Sequence, residues 1–238
     1  MRRSSCFASI AARRLPIGPE RLHSLDTLAS APLSGLLPPA LAAHLPELAL
    51  AAALAWGAGL RLYAVVFLFG LAHRMGWWLL PDHLVVLAHP LVLGAAAFMA
   101  AVELFADKLP LLDTIWDGLH TFIRIPAGAA LAAGVFGDAG AATALAAALL
   151  GGTLTAATHL TKAGTRAAVN TSPEPASNLG LSLSEDALVV GGVWLAVEHP
   201  LLFLALLGVF LVAAVLMLRL ILRGVRRLRD RWRAWRRG

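Results

Sequence analysis

The chain reads as an all-α, polytopic integral membrane helix bundle of five to six transmembrane segments, with an inverted repeat and a broken or re-entrant helix. Three observations predict this. Hydrophobic residues make up 59% of the 238 and the mean hydropathy is +0.75, whereas a soluble domain is about 45–50% apolar. Only 14% of residues are charged, against about 25% in soluble domains. Apolar runs near the ~20 residues that a membrane crossing needs recur along the chain, punctuated by Pro, Gly and charge.

The charge sits at the ends. Of 20 Lys and Arg, nine lie between Arg219 and Arg237 and five between Arg2 and Arg21, so the net +6 comes from the termini and the middle is acidic. Basic ends that flank apolar segments read as cytoplasmic flanks, able to touch anionic headgroups, and not as a nucleic-acid surface. The one cysteine, Cys6, excludes an internal disulfide and suggests no thiolate metal site.

Residues 1–44 carry no long apolar run and form a disordered or interfacial extension. The first span runs from about Pro46 to Ala72, with Arg61 near its middle and Gly57 and Gly59 allowing close helix contact. Trp77 and Trp78 mark an interfacial loop. The second span, about Leu84 to Ala106, should kink at Pro90 and ends in Glu103 and Asp107, one turn apart. The third, about Thr114 to Phe136, follows Asp113, Asp117, His120 and Arg124, whose spacings of four, three and four share one helix side. Pro126 should bend this span. The fourth starts near Ala141 and carries His159, Lys162, Arg166 and Asn170, again on one side. A Pro/Ser/Asn loop at 170–178 cannot continue a helix. Ser182 to Glu185 has capping-box spacing and should open the next helix. Asp186 to Leu222 is too long for one span and is interrupted by Glu198, His199 and Pro200. It reads as a short re-entrant segment, Asp186 to Val197, and then a full span, Leu201 to Leu222. The organisation is therefore an extension (1–44), a membrane domain (45–222) and an Arg-rich cytoplasmic tail (223–238).

Two stretches echo each other. Ala58–Arg61 matches Ala163–Arg166, Asp82–Val86 matches Asp186–Val190, and His89–Leu91 matches His199–Leu201. With the third span as an unpaired linker, a duplication would invert the second copy, as in many secondary transporters.

An ionisable group at the bilayer centre costs about 2.5–3.5 kcal/mol on insertion scales. Arg61, Glu103, Asp107, Asp113, Asp117, His120, Arg124, His159, Lys162, Arg166, Asn170, Glu185 and Asp186 therefore form the candidate site, either one polar cluster lining a cavity or end-of-span pairs that hold helices in register. Arg61 and Arg124 are the hardest to place at span ends. His120 is either a proton relay or a satisfied packing histidine. No HExxH or Cys/His spacing supports a metal at His120 and His159, and no phosphate-binding loop or Gly-x-Ser-x-Gly elbow occurs. No cofactor is implied.

The segments GLRLYAVVFL (59–68), ELFADKLP (103–110), WDGLHTFIRIPAGA (116–129), HLTKAGTRAAVNTSPEPASN (159–178) and SEDALVVGG (184–192) resemble the domain-of-unknown-function 4126 family of membrane proteins. The resemblance covers about Leu45 to Leu222. It implies a multi-span membrane protein and names no catalytic residue.

The function expected is transport or channel-like passage of a small polar or ionic solute, with proton coupling. Arg61, Lys162 and Arg166 would bind an anionic group, and Asp113, Asp117 and His120 would carry protons. The alternatives are a non-catalytic membrane scaffold or assembly factor and a lipid-modifying enzyme. The expected partners are the lipid bilayer, a small ionic solute or proton, and further copies of the chain. The expected location is the bacterial inner (plasma) membrane, with six crossings and both basic ends, the C-terminus included, in the cytoplasm.

Overall fold

The computed structural model describes residues 42–107, 110–169 and 175–235, together with Pro38. Side chains at 110–114, 175, 176, 178, 221, 222, 225, 227, 228 and 231–235 lie outside the described set. The chain separates into units of 1–44 and 45–238, and the helices below all belong to the second.

Among the described residues this unit holds six α-helices: α1 (Leu45–Arg74), α2 (Pro90–Ala106), α3 (Pro110–Val135), α4 (Ala141–Val169), α5 (Pro175–Glu198) and α6 (Pro200–Trp235). A 3-10 segment, Asp82–Ala88, precedes α2. No strand occurs among the described residues. By length and composition α1, α4, residues 179–198 of α5 and residues 200–220 of α6 can each cross a membrane, and the 3-10 segment with α2, bent by 65°, makes a fifth. Polarity is turned inside out. Phe98, Phe105, Phe122 and Val209 are exposed, while Arg124, two residues after Phe122, is wholly buried. A surface of that kind is stable against lipid, not water, and the protein is an integral membrane protein.

Proline sets two of the helix starts. Pro90 occupies the first turn of α2, where its missing N–H is no loss, and His89 caps the helix by accepting from the Leu91 N–H at 3.3 Å. α6 begins in the same way after His199, at Pro200. Both His-Pro pairs thus lie at helix breaks, as the sequence suggests.

α1 is not one straight pass. Arg61 has φ −146° and ψ 80°, outside the helical region, and splits α1 into arms 45–60 and 62–74. A Cβ on Gly57 would stand 3.7 Å from the Cβ of Val65. Residues eight apart in a continuous helix are about 12 Å apart, so the arms double back on one another. Only glycine leaves room for Val65 at that crossing. The two ends of α1 accordingly meet: Pro46 and Leu50 share a cleft with Phe69, Trp78 and Val197. The expected continuous first span is a hairpin with Arg61 at its tip, because tertiary partners take the Arg61 side chain and the neighbouring carbonyls.

The other helices run between the Trp78 end and the Arg61 end. Trp78 Nε1 donates to Glu198, His83 pairs with Asp138 at 3.0 Å, and Leu93 packs beside Gly70 at the first end. Glu103, Lys162 and Ser182 lie at the second. Arm 45–60, α2, α4 and α6 therefore descend toward Arg61, while arm 62–74, α3 and α5 return.

Three expectations change as a result. The Ala58–Arg61 and Ala163–Arg166 echoes both end descending helices, and both His-Pro echoes start descending ones, so these two pairs run in the same direction instead of inverted. The third pair does not follow: Asp82–Val86 is in the 3-10 segment at the Trp78 end, and Asp186 lies in ascending α5 at the Arg61 end. A hairpin followed by five helices also puts Leu45 and the Arg-rich end of α6 at opposite ends of the bundle, where six crossings would have joined them. Finally, α5 is a 24-residue helix, not a short re-entrant segment from Asp186, and Ser182 lies inside it, not at a cap.

Candidate functional site

α1, α2, α3, α4 and α5 bring their charges to one place near the Arg61 tip. Small residues permit the approach. A Cβ on Gly128 would collide with the Thr155 side chain, and one on Gly59 would lie 2.7 Å from the Thr155 carbonyl oxygen. Thr155 Oγ1 lies 2.8 Å from both Ala55 O and the Gly151 carbonyl of its own helix, which ties α4 to the descending arm of α1.

Asp107 is the hub. Its Oδ2 lies 3.0 Å from Arg61 Nη1, 3.1 Å from Arg166 Nη2 and 3.5 Å from Lys162 Nζ. Arg166 also clasps Glu185 in bidentate fashion, with Nε at 3.2 Å and Nη2 at 2.9 Å. Arg61 reaches Asp186 at 2.7 Å and donates to Ser182 Oγ at 2.8 Å. Arg124 pairs with Glu103 at very short range and lies 3.2 Å from Asp117. Lys162 sits between the two halves, 3.7 Å from Glu103, 3.8 Å from Asp117 and 3.3 Å from Glu185. The side chains of Glu103, Asp107, Arg124 and Lys162 have no exposed surface, and Asp186, 35% exposed, stands at the rim. In so dry a setting each pair depends on the others, because an uncompensated charge there is expensive.

The break in α1 adds backbone acceptors. Lys162 Nζ donates to the Leu60 carbonyl at 2.9 Å, and Arg124 Nη1 to the Gly59 carbonyl at 3.5 Å. A straight helix would spend these carbonyls on its own ladder.

The histidines hold fixed tautomers, assigned from their partners. His120 Nδ1 donates to the Trp116 carbonyl at 2.9 Å, so Nε2 accepts from the Tyr63 hydroxyl at 3.2 Å. It stacks on Trp116 and makes no ion pair among the described residues. His159 Nδ1 accepts from Arg124 at 3.2 Å, Nε2 donates to Thr121 Oγ1 at 2.7 Å, and Thr121 donates to the Asp117 carbonyl at 2.9 Å. No three His, Cys, Asp or Glu side chains are grouped as metal ligands among the described residues.

Of the sequence candidates, Arg61, Glu103, Asp107, Asp117, Arg124, His159, Lys162, Arg166, Glu185 and Asp186 come together. His120 stands beside them. The Asp113 side chain, Asn170 and most of the Pro/Ser/Asn loop lie outside the described residues, and Pro175 to Asn178 already belong to α5. Sequence reasoning missed Ser182, Thr121, Tyr63 and the two carbonyls. Ser182 was visible in principle, three residues before Glu185 and so on its helix face.

No curated protein and no solved structure matches the chain. The family model described as "Domain of unknown function (DUF4126)" matches residues 48–220. These charged segments fall within that match, and the chain belongs to the DUF4126 family.

Proposed function

We propose that the protein is a proton-coupled membrane transporter for a small polar or ionic solute, held here with its site closed, and not an enzyme. One observation carries the reading: α1 breaks inside a buried ion network and turns the freed Gly59 and Leu60 carbonyls toward Arg124 and Lys162. Broken helices whose ends meet ions are how many secondary transporters build a site in a bilayer, and buried ionisable groups mark ion paths. An anionic solute would take over Arg61, Lys162 and Arg166 from Asp107 and Glu185, entering past Asp186. Asp117 stays a proton carrier in this reading. His120 leaves that role, since both its ring nitrogens are committed. By the positive-inside rule the Arg-rich end of α6 faces the cytoplasm, with the bundle in a bacterial plasma membrane.

The test is proton uptake into proteoliposomes, read by an enclosed pH dye, with phosphate, chloride or short carboxylates offered outside. Uptake above empty liposomes for one of these, lost in Asp117→Asn and Arg166→Ala, supports transport. Uptake equal to empty liposomes throughout rejects it.

A non-catalytic scaffold is the second reading, favoured by the closure of the network, in which Arg61, Arg124, Lys162 and Arg166 each already meet a carboxylate. It expects a charge exchange, Arg166→Glu with Glu185→Arg, to keep folding and function, and a stable partner to co-purify.

A further inference from the structure

Among the described residues three buried carboxylate oxygens of the network have no hydrogen-bond partner: Asp117 Oδ1, which still lies 3.2 Å from Arg124 Nη1, and two with no ion-pair contact either, Glu103 Oε2 and Asp107 Oδ1. These last two residues are wholly buried and stand one turn apart, Glu103 in the last turn of α2 and Asp107 at its C-cap, while their sister oxygens take Arg124, Arg61, Lys162 and Arg166. Buried polar atoms are nearly always satisfied, and an exception marks a place for a water, an ion or a proton.

The surroundings choose among these. α1 presents Arg61; α3 presents Asp117, His120 and Arg124; α4 presents His159, Lys162 and Arg166; α5 presents Glu185 and Asp186. Among the described side chains, the five carboxylates Glu103, Asp107, Asp117, Glu185 and Asp186 face the four cations Arg61, Arg124, Lys162 and Arg166. An added metal cation would be repelled by those four, whereas a proton is small and removes the surplus negative charge. His159 is a poor resting place for it, because its Nδ1 is occupied by an Arg124 N–H at 3.2 Å. A proton on Asp107 would weaken three ion pairs, with Arg61, Lys162 and Arg166. One on Glu103 would weaken two, with Arg124 and Lys162.

We infer that Glu103 holds an exchangeable proton on Oε2 in the closed state, with Asp107 one turn away as the neighbouring acceptor. The inference rests on the transport reading and deepens it, adding to Asp117 a proton site on α2 that meets the same Arg124 and Lys162. Binding is an acid–base step: a carboxylate and a proton form a carboxylic acid, and release reverses it.

Infrared spectroscopy of the protein in lipid nanodiscs tests it. At neutral pH a protonated-carboxyl C=O band is expected. It should move in heavy water, move again when the glutamate carboxyls carry carbon-13, and vanish in Glu103→Gln. The exposed Asp138→Asn should leave it in place. The isotope arms use the unaltered chain, so they stand even if Glu103→Gln fails to fold. No such band, one insensitive to labelled glutamate, or one surviving in Glu103→Gln overturns the proposal. A band without solute-linked flux leaves the proton site standing and removes transport; flux without a band does the reverse.

Discussion

Replacing Arg124 with leucine removes a cation that has no exposed surface and sits at the centre of the site. Four contacts go at once: the short pair with Glu103, and those with Asp117 and His159 at 3.2 Å and with the Gly59 carbonyl at 3.5 Å. Among the described residues Glu103 then keeps Lys162, at 3.7 Å, as its one cation. Breaking one side of a buried pair costs about 3–5 kcal/mol, chiefly because what is left behind is stranded, here the Asp117 carboxylate and the buried Glu103 carboxyl. For a domain of this size that corresponds to roughly 6–20 °C in melting temperature. The assay is thermal unfolding in a mild detergent, followed by tryptophan fluorescence and by loss of the monodisperse peak. Adding Glu103→Leu to Arg124→Leu removes the stranded carboxyl group as well, so the double variant should be less damaged than the sum of the singles. An unchanged melting temperature in Arg124→Leu would refute the shared network. A strictly additive double variant would refute the claim that Glu103 and Arg124 depend on each other.

Gly57→Leu should drive a side chain into Val65 and cost about 1–3 kcal/mol, while Gly191→Ala, with open space around it, should stay within about 0.5 kcal/mol. Equal melting temperatures for the two would argue that the α1 arms do not meet. Single cysteines at Pro46, Met75 and Gly224, introduced after Cys6→Ser, test the same hairpin from outside. The first two should react with an impermeant thiol reagent from one side of the membrane and the third from the other. Labelling of positions 46 and 75 from opposite sides would make α1 a single crossing.

The faces of the site were legible because helix period leaves little choice. Asp117 and Arg124, and His159, Lys162 and Arg166, had to share sides once α3 and α4 were helices, and insertion cost required the charges to meet. The α1 break was not legible. Arg61 stands in an apolar run with no proline, and local propensity favours continuing the helix. What stops it lies far away in sequence: Asp107, Ser182 and Asp186 hold the side chain, while Lys162 and Arg124 hold the carbonyls just before it. The Ser182–Glu185 spacing failed for a different reason. Three residues apart is the signature of a cap and also of one shared face, and α5 uses the second. The direction of the echo depends on the α1 break as well. Counted as one pass, α1 makes the segment through α2 two crossings, and adding α3 gives an odd number before α4 begins. Counted as two arms, it gives three passes before α3, four in all, and α4 starts at the end of the bundle where α1 started. One backbone residue therefore decides whether Arg61 and Arg166 approach Asp107 from opposed or parallel helices, and their shared Oδ2 contact, at 3.0 and 3.1 Å from helices that both descend, is the parallel case.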